Sequence, residues 1–402
     1  MDHHSRANQS EAHVRGVAQS GVRIANERAV MTLIVTFPGS SNADLARRSG
    51  LGPQTTSRIL SDLETRQLIK RGQVLRGRRG QPATPVFINP EGAYCVGVEL
   101  GWRRLDVTLV NLAGEALAAV SHQYDRPDAS VVLPLIKAEV ARLADGVPAD
   151  RRDRLLGVGI AGPATLAHGV GLLGGTQEQQ AAWQDVDVRA RVAADTGMPA
   201  AFYNDGNAAC WAEIVAQELP RPANLAYFQI NAFVPAGIFT GGTLWEGPTG
   251  RGANLGAIIV AGQDGKPTFL YRVASLLALE RRIVAGGMAV PAGSPHLWDW
   301  DAIEPHGGAW IEEASYALAQ AVMSTRAMVE LDKVIVDGLL PRHILSRIID
   351  RVRHHVQLLP TPAAPKPPVE MGSLGHAAGA IGAAELPLFR QYFSRGWGLF
   401  NA

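Results

Sequence analysis

SNADLARRSGLGPQTTSRILSDLETR, residues 41–66, carries two short helical patterns with glycines between them. Ser41 can cap a helix, and Asp44, three residues on, can bond back to the cap. The spacing predicts a helix over Asn42–Ser49, with Gly50 in the left-handed position just past its end. Gly52-Pro53 restarts the chain, with proline at a first helical position. The second helix runs to about Arg66, with Thr56, Ile59, Leu60 and Leu63 on its inner face. Gln54, Arg58 and Ser61 fall on the other side, with Thr55 and Ser57 near the start. Two short helices joined by a tight turn, the second polar outside, make a helix-turn-helix. Its second helix suits the major groove, where Gln and Arg can make bidentate contacts to base edges. A small helical bundle with a solvated face would carry the same pattern.

The flanks separate these readings. Upstream, Val30, Leu33, Ile34 and Phe37 share one face of a helix that begins near residue 22 and stops at Pro38-Gly39. Downstream, Leu68–Arg71 reads as a strand and Val86–Ile88 as its return. Between them lies RGRRGQPATP (76–85), which can build no core and fits the tip of a β-hairpin wing. Its glycines permit close backbone approach to a groove. Arg76, Arg78 and Arg79 suit a narrow minor groove and its negative potential. Charge agrees: residues 1–90 hold 13 Lys/Arg against 6 Asp/Glu, whereas the remainder holds 25 against 31. The basic end is therefore expected to bind duplex DNA.

The whole chain of 402 residues is 47% hydrophobic and 19% charged, enough for two or three globular domains. Cys95 and Cys210 stand far apart, which excludes a disulfide framework and a four-cysteine zinc site and suits a reducing cytoplasm. No secretory h-region opens the sequence, and no apolar run nears the ~18 residues of a membrane span, so no membrane partner is expected.

Beyond Pro90, Ala93–Leu100, Leu105–Val110 and Ala116–Tyr124 read as strands, followed by a helix near Ser130–Ala144 and strands at Leu155–Ile160 and Ala200–Tyr203. The order returns as strands around Leu225–Ile230, Gly237–Trp245 and Gly256–Val260, then helices, a strand at Lys333–Asp337, and a last helix from about His376. Two such units in tandem predict two lobes around a cleft.

GVGIAGPA (157–164), YNDGNAACWAE (203–213) and GAIGAAELPL (379–388) resemble signatures of the ROK family, which joins sugar kinases to transcriptional repressors. The basic helix-turn-helix ending in GRRGQP before VGVELG resembles the layout of the repressor branch, including the xylose-operon and N-acetylglucosamine repressors. The resemblance implies an α/β fold: an N-terminal winged helix-turn-helix followed by a two-lobed actin-like (ribonuclease H-like) sugar-kinase fold. The expected division is a flexible segment 1–20, the DNA-binding domain 21–90, a first lobe 91–205 joined by the C-terminal helix 376–402, and a second lobe 206–375.

The chain departs from the kinase pattern at each catalytic element. An Asp-x-Gly-x-Thr phosphate loop is replaced by Glu99-Leu100-Gly101-Trp102-Arg103. A glycine-rich second phosphate element is replaced by Asn231-Ala232-Phe233-Val234-Pro235-Ala236-Gly237. A phosphate cradle needs unobstructed backbone N–H donors, and proline has none. The third glycine pair reads Gly338-Leu339. Asp205, the position of the kinase's base, persists, but neither an enzyme nor a bound cofactor is expected. The family's zinc histidine is Ala257 here and no cysteines follow, so no metal is expected. Among sugar-binding positions the chain keeps Asn204 and Asp205, has Asn254 for a Glu, and Tyr271 near a later Glu. These side chains imply a small uncharged sugar or polyol effector, or a cleft that senses nothing. PTPAAPKPPVE (360–370) reads as a stiff surface connection or a partner-binding loop.

The implied function is a transcriptional regulator, a repressor of carbohydrate or polyol genes. It would bind its operator as a homodimer or higher homo-oligomer. The alternatives are an active sugar kinase with a DNA-binding extension and a ligand-independent DNA binder.

Overall fold

The computed structural model describes residues 19–74, 84–250, 252–262, 264–361 and 365–394. The chain opens with α1 (Gln19–Thr36), α2 (Asn42–Ser49) and α3 (Pro53–Thr65). The Ser41/Asp44 capping box forms reciprocally, and Gly50 ends α2 at φ 68°. Thr56, Ile59, Leu60 and Leu63 are buried on α3, as their spacing requires. β1 (Ile69–Arg71) and β2 (Val86–Ile88) pair antiparallel, with Lys70 opposite Phe87. The tip joining them, with Arg76, Arg78 and Arg79, lies outside the described residues.

Next come β3 (Tyr94–Leu100), β4 (Arg104–Asn111), β5 (Ala116–Gln123), α4 (Ala129–Asp145) and β6 (Leu155–Gly162). α5 (Leu166–Leu172), α6 (Gln177–Gln184), α7 (Val188–Thr196), β7 (Ala200–Asn204) and α8 (Asp205–Ala216) complete this part. The second part holds β8 (Leu225–Ile230), β9 (Ala236–Thr240), β10 (Thr243–Leu244), β11 (Ile259–Ala261), β12 (Pro267–Phe269), α9 (Tyr271–Ala274) and α10 (Leu276–Ala285). It ends with α11 (Glu304–Met328), β13 (Lys333–Gly338), α12 (Arg342–Leu358), β14 (Val369–Met371) and α13 (Ala378–Tyr392).

The two main sheets have one topology. The first runs β5-β4-β3-β6-β7 and the second β10-β9-β8-β13-β14, each with three antiparallel strands followed by two added in parallel. This is the two-lobed actin-like arrangement. One expected strand is displaced. Gly237–Trp245 splits into β9 and β10 because Gly241 and Gly242 both take positive φ, and two such residues turn a hairpin tightly. The third strand of the second sheet is thus β10. Gly256–Val260 is a 3-10 turn running into β11, which pairs only with β12 outside the main sheet.

α13 fills the seam. It lies on the first sheet so closely that a Cβ on Gly97 of β3 would meet the Ala380 carbonyl oxygen at 1.9 Å. The N-terminal helices share one core with this region. Val30, Ile34, Leu60 and Leu63 cluster with Cys95 and Val110 of the sheet and Ala384, Leu388 and Phe393 at the far end of α13. Thr32 Oγ1 accepts from the Ser394 backbone at 3.0 Å, and Arg28 Nε donates to the Gln391 carbonyl at 3.2 Å. Arg154 adds bonds to the Glu91 carbonyl and to Gln67. Burying these apolar faces together orders the module on the first lobe more firmly than a solvated tether would. Among the described residues no helix is long and apolar enough to cross a membrane.

Candidate functional site

Corresponding hairpin turns of the two sheets face each other across a cleft of about 630 Å³. From the first sheet come Glu99, the β3–β4 turn at Gly101–Arg104, and Gln123–Asp125 at the end of β5. From the second come Asn231, Ala232 and Pro235, with Leu276, Glu280, the stretch Val290–Pro295, Trp298, Leu339 and His376 around them. Asp205 lies at the floor, where β7 passes into α8.

Of the three ligand positions expected from the sequence, only Asp205 lines this cleft. Asn204 caps α8 instead: its Oδ1 accepts from Asn207 N at 3.2 Å, and its Nδ2 donates to Asp205 Oδ1 at 3.0 Å. Asn254 is exposed at the start of the 3-10 turn and stands apart from the lining. Asn254 precedes the 3-10 turn that leads into β11, which pairs with β12 and not with the main sheet. Asp205 also accepts from Gly206 N at 2.9 Å, so its carboxylate is partly satisfied; burial nonetheless pushes its pKa up to about 6.

Aromatic residues occupy both turns where the resemblance puts phosphate loops. Trp102 and Phe233 meet edge to face across the lobes, with centroids 5.0 Å apart. Phe233 then meets Tyr271 at 5.7 Å, and Tyr271 stacks on Phe269 at 5.4 Å. The second turn is tied to itself. The Asn231 N–H bonds to the Phe233 carbonyl at 2.9 Å, and Gln229 N bonds to the Pro235 carbonyl at 2.9 Å. Those N–H groups are turned inward on the loop rather than toward an anion, and Pro235 has none to offer.

Glu99 and Arg104 were not among the site residues expected from the sequence. Glu99 sits directly opposite Asp106 in the β3–β4 register. Facing carboxylates repel, and this pair is buried. Burial first, then the Asp106 charge, pushes the Glu99 pKa up to about 8. Arg104 pairs with Asp106, and Arg103 pairs with Glu280 at 2.7 Å across the cleft. An acid in the otherwise apolar run YCVGVEL was the available signal. Burial and the Arg104 charge lower the His376 pKa, leaving the imidazole neutral. Among the described residues no three His, Cys, Asp or Glu side chains converge on a possible metal position.

On the first module, Gln54, Ser57 and Arg58 are exposed on α3, and Thr55 is half-buried. A groove between α1 and α3 is lined by Arg23, Glu27, Thr55, Arg58 and Asp62.

The chain is 26% identical over 377 residues to an uncharacterised protein, y4fQ, of Sinorhizobium fredii, covering 92% of each chain. It is 22% identical over 246 residues to the xylose repressor of Caldicellulosiruptor bescii, covering 60% of this chain and 59% of that one. A ROK family transcriptional regulator, a homologue of the E. coli MLC protein, superposes with a TM-score of 0.68 at 19% identity, over 92% of this chain and 98% of that one. A ROK family glucokinase from Streptomyces griseus, solved with glucose and AMPPNP, superposes with a TM-score of 0.58 at 20% identity, over 73% of this chain and 99% of that one. The ROK family pattern itself matches residues 95–389, and this chain therefore belongs to the ROK family.

Proposed function

We propose that this protein is a transcriptional regulator that binds operator DNA through α3 and the β1–β2 wing. In this reading the two lobes form a non-catalytic effector-sensing and oligomerisation module. The observation that carries it is the orientation of α3: four residues anchor its inner face, and Gln54, Ser57 and Arg58 remain exposed in a row. The xylose repressor among its relatives supports the regulatory reading, with a sugar or polyol gene set as target. The working division is a module of residues 21–90 on lobes 91–205 and 206–375, with the C-terminal helix assigned to the first lobe. The protein acts in the cytoplasm as a homodimer, since two-fold operators call for two modules.

Selection from genomic fragments by the full-length protein is expected to return one shared, two-fold motif. Fragments with no common motif would defeat the reading. Arg58→Ala should weaken binding to the selected site by about 1–3 kcal/mol and relax preference at one base position. Replacing Arg76, Arg78 and Arg79 together by alanine should instead lower affinity on all sequences. It should also flatten the salt dependence by about one unit for each phosphate that is no longer neutralised.

The kinase alternative fails, in this reading, on the second phosphate turn, where Phe233 packs on Trp102 and Pro235 lacks a donor. A coupled assay with ATP and a panel of hexoses should give no turnover above background. Turnover that disappears in Asp205→Asn would establish the kinase reading instead.

A further inference from the structure

We propose that Phe233 and Trp102 form a latch that closes the cleft with the chain's own side chains, so that closure needs no bound ligand and the N-terminal module is held in one position relative to the second lobe. It rests on the function proposed above only in taking that module to be the one that meets DNA.

The two sheets are joined beneath the floor of the cleft. There Ala161 and Tyr203 of the first share a core with Tyr227 and Ile335 of the second, through α8 and α13. Opening is a rotation about this base, and it parts the two hairpin turns above. Those turns are fastened to each other. Ala232 of the second turn and Leu277 of α10 are buried in the core of the first lobe together with Trp102. Phe233 is gripped on both sides, by Trp102 at 5.0 Å and by Tyr271 at 5.7 Å, each edge to face. Trp102 has no room to retreat, since a Cβ on Gly169 of α5 would lie 1.9 Å from its ring. The second turn is anchored to its own lobe, where Leu276 N donates to the Asn231 carbonyl at 2.9 Å. Two polar contacts flank the aromatic one: Arg103 pairs with Glu280 at 2.7 Å, and Arg281 Nη2 donates to the Leu172 carbonyl at 3.3 Å.

The consequence reaches the N-terminal module. Its core runs on into Cys95 and Val110 of the first sheet and Leu388 of α13, so the module moves with the first lobe. Parting the two turns therefore rotates the module against the second lobe. Aromatic pairs in this geometry add to the burial of their area, and close-packed contacts separate between discrete arrangements rather than by gradual stretching. The latch thus governs the motion by which the state of the cleft reaches DNA.

The test is spin-label distance measurement on the full-length protein, with no sugar or nucleotide added. Cys95 and Cys210 are buried, so labels go to introduced cysteines. Ala25, Gln184 and Ala285 are exposed positions on the module, the first lobe and the second lobe. Ala25→Cys with Ala285→Cys should give one narrow distance in the parent. Phe233→Ala should add a second distance and lower the closed-to-open ratio by about tenfold or more, and Phe233→Leu should lower it less. Gly169→Ala, which displaces the Trp102 ring, should reproduce Phe233→Ala, and melting curves check that each variant folds. Ala25→Cys with Gln184→Cys should keep its distance in all of them. Several distances in the parent, or one unchanged distance in the folded latch variants, would overturn the proposal. A shift between Ala25 and Gln184 would equally overturn it, since the module would not be following the first lobe. The distances are read without DNA, so their failure is separate from a failure to select an operator.

Discussion

Gly382→Ala is expected to destabilise the protein by about 3 kcal/mol or more, at the upper end of overpacking in a filled core. Intrinsic helix propensity predicts the opposite, a gain of about 1 kcal/mol for alanine over glycine. Steric exclusion decides the sign. Gly382 lies in α13, and a Cβ there would sit 1.8 Å from the Ala208 carbonyl oxygen and 2.6 Å from its carbon. Those atoms belong to the backbone of α8 and cannot rotate away. The two helices would have to separate, opening the packing among Ala208, Ala212, Ala383 and Leu386. Gly308→Ala in α11 is the control. Its new Cβ would meet only the Glu304 carboxylate, the far end of an exposed side chain, so that variant should match or slightly exceed the parent. Urea unfolding of the three proteins measures the difference. Equal midpoints for Gly382→Ala and the parent would show that α13 and α8 are not packed so closely.

The second large effect is on pH dependence. Stability should fall between pH 5 and pH 8, by about 1.4 kcal/mol per pH unit for each carboxyl that the native state keeps protonated. Burial holds the pKa of Glu99 at about 8, Glu213 at about 7 and Asp205 at about 6. Unfolded carboxyls ionise near their ordinary values of about 4. Across the window between, the native state keeps protons that the unfolded state has lost, so raising the pH favours unfolding. Carboxylates with lowered pKa, such as Asp44 and Glu312, have the opposite effect. Their contribution is lost only as pH falls below about 4, outside this window. Glu99→Gln removes one of these titrations and should flatten the slope, raising the melting temperature at pH 8 more than at pH 5. Melting curves at both pH values test this; parallel shifts in parent and variant would remove Glu99 as the source.

The capped pair α2–α3 was legible in the sequence because caps, glycine stops and an apolar stripe are local. Ser41 finds Asp44 within one turn, and the four inner residues of α3 are fixed by helical periodicity alone. The strand pattern of the first lobe was legible for the same reason. The hairpin β9–β10 had a local signal as well, since Gly241-Gly242 stands between Ile238-Phe239 and Leu244-Trp245, and the reading of Gly237–Trp245 as one strand passed over it. Asn204 and Asn254 looked like site residues by position in a motif. Their side-chain directions depend on a helix cap in one case and a displaced turn in the other.

What only the tertiary structure decided are the relations between distant segments. GAIGAAELPL is a run of small residues whose purpose shows only when Gly382 is placed against Ala208, and Gly97 against Ala380. Glu99 and Asp106 are seven residues apart in sequence, yet the β3–β4 register sets them face to face. Trp102 and Phe233 come from different lobes and meet at the cleft. Local residue chemistry fixes helices, caps and turns, since those bonds close within a few residues. The charge and shape of the cleft arise from side chains more than a hundred positions apart, brought together when the two sheets and α13 bury their apolar faces.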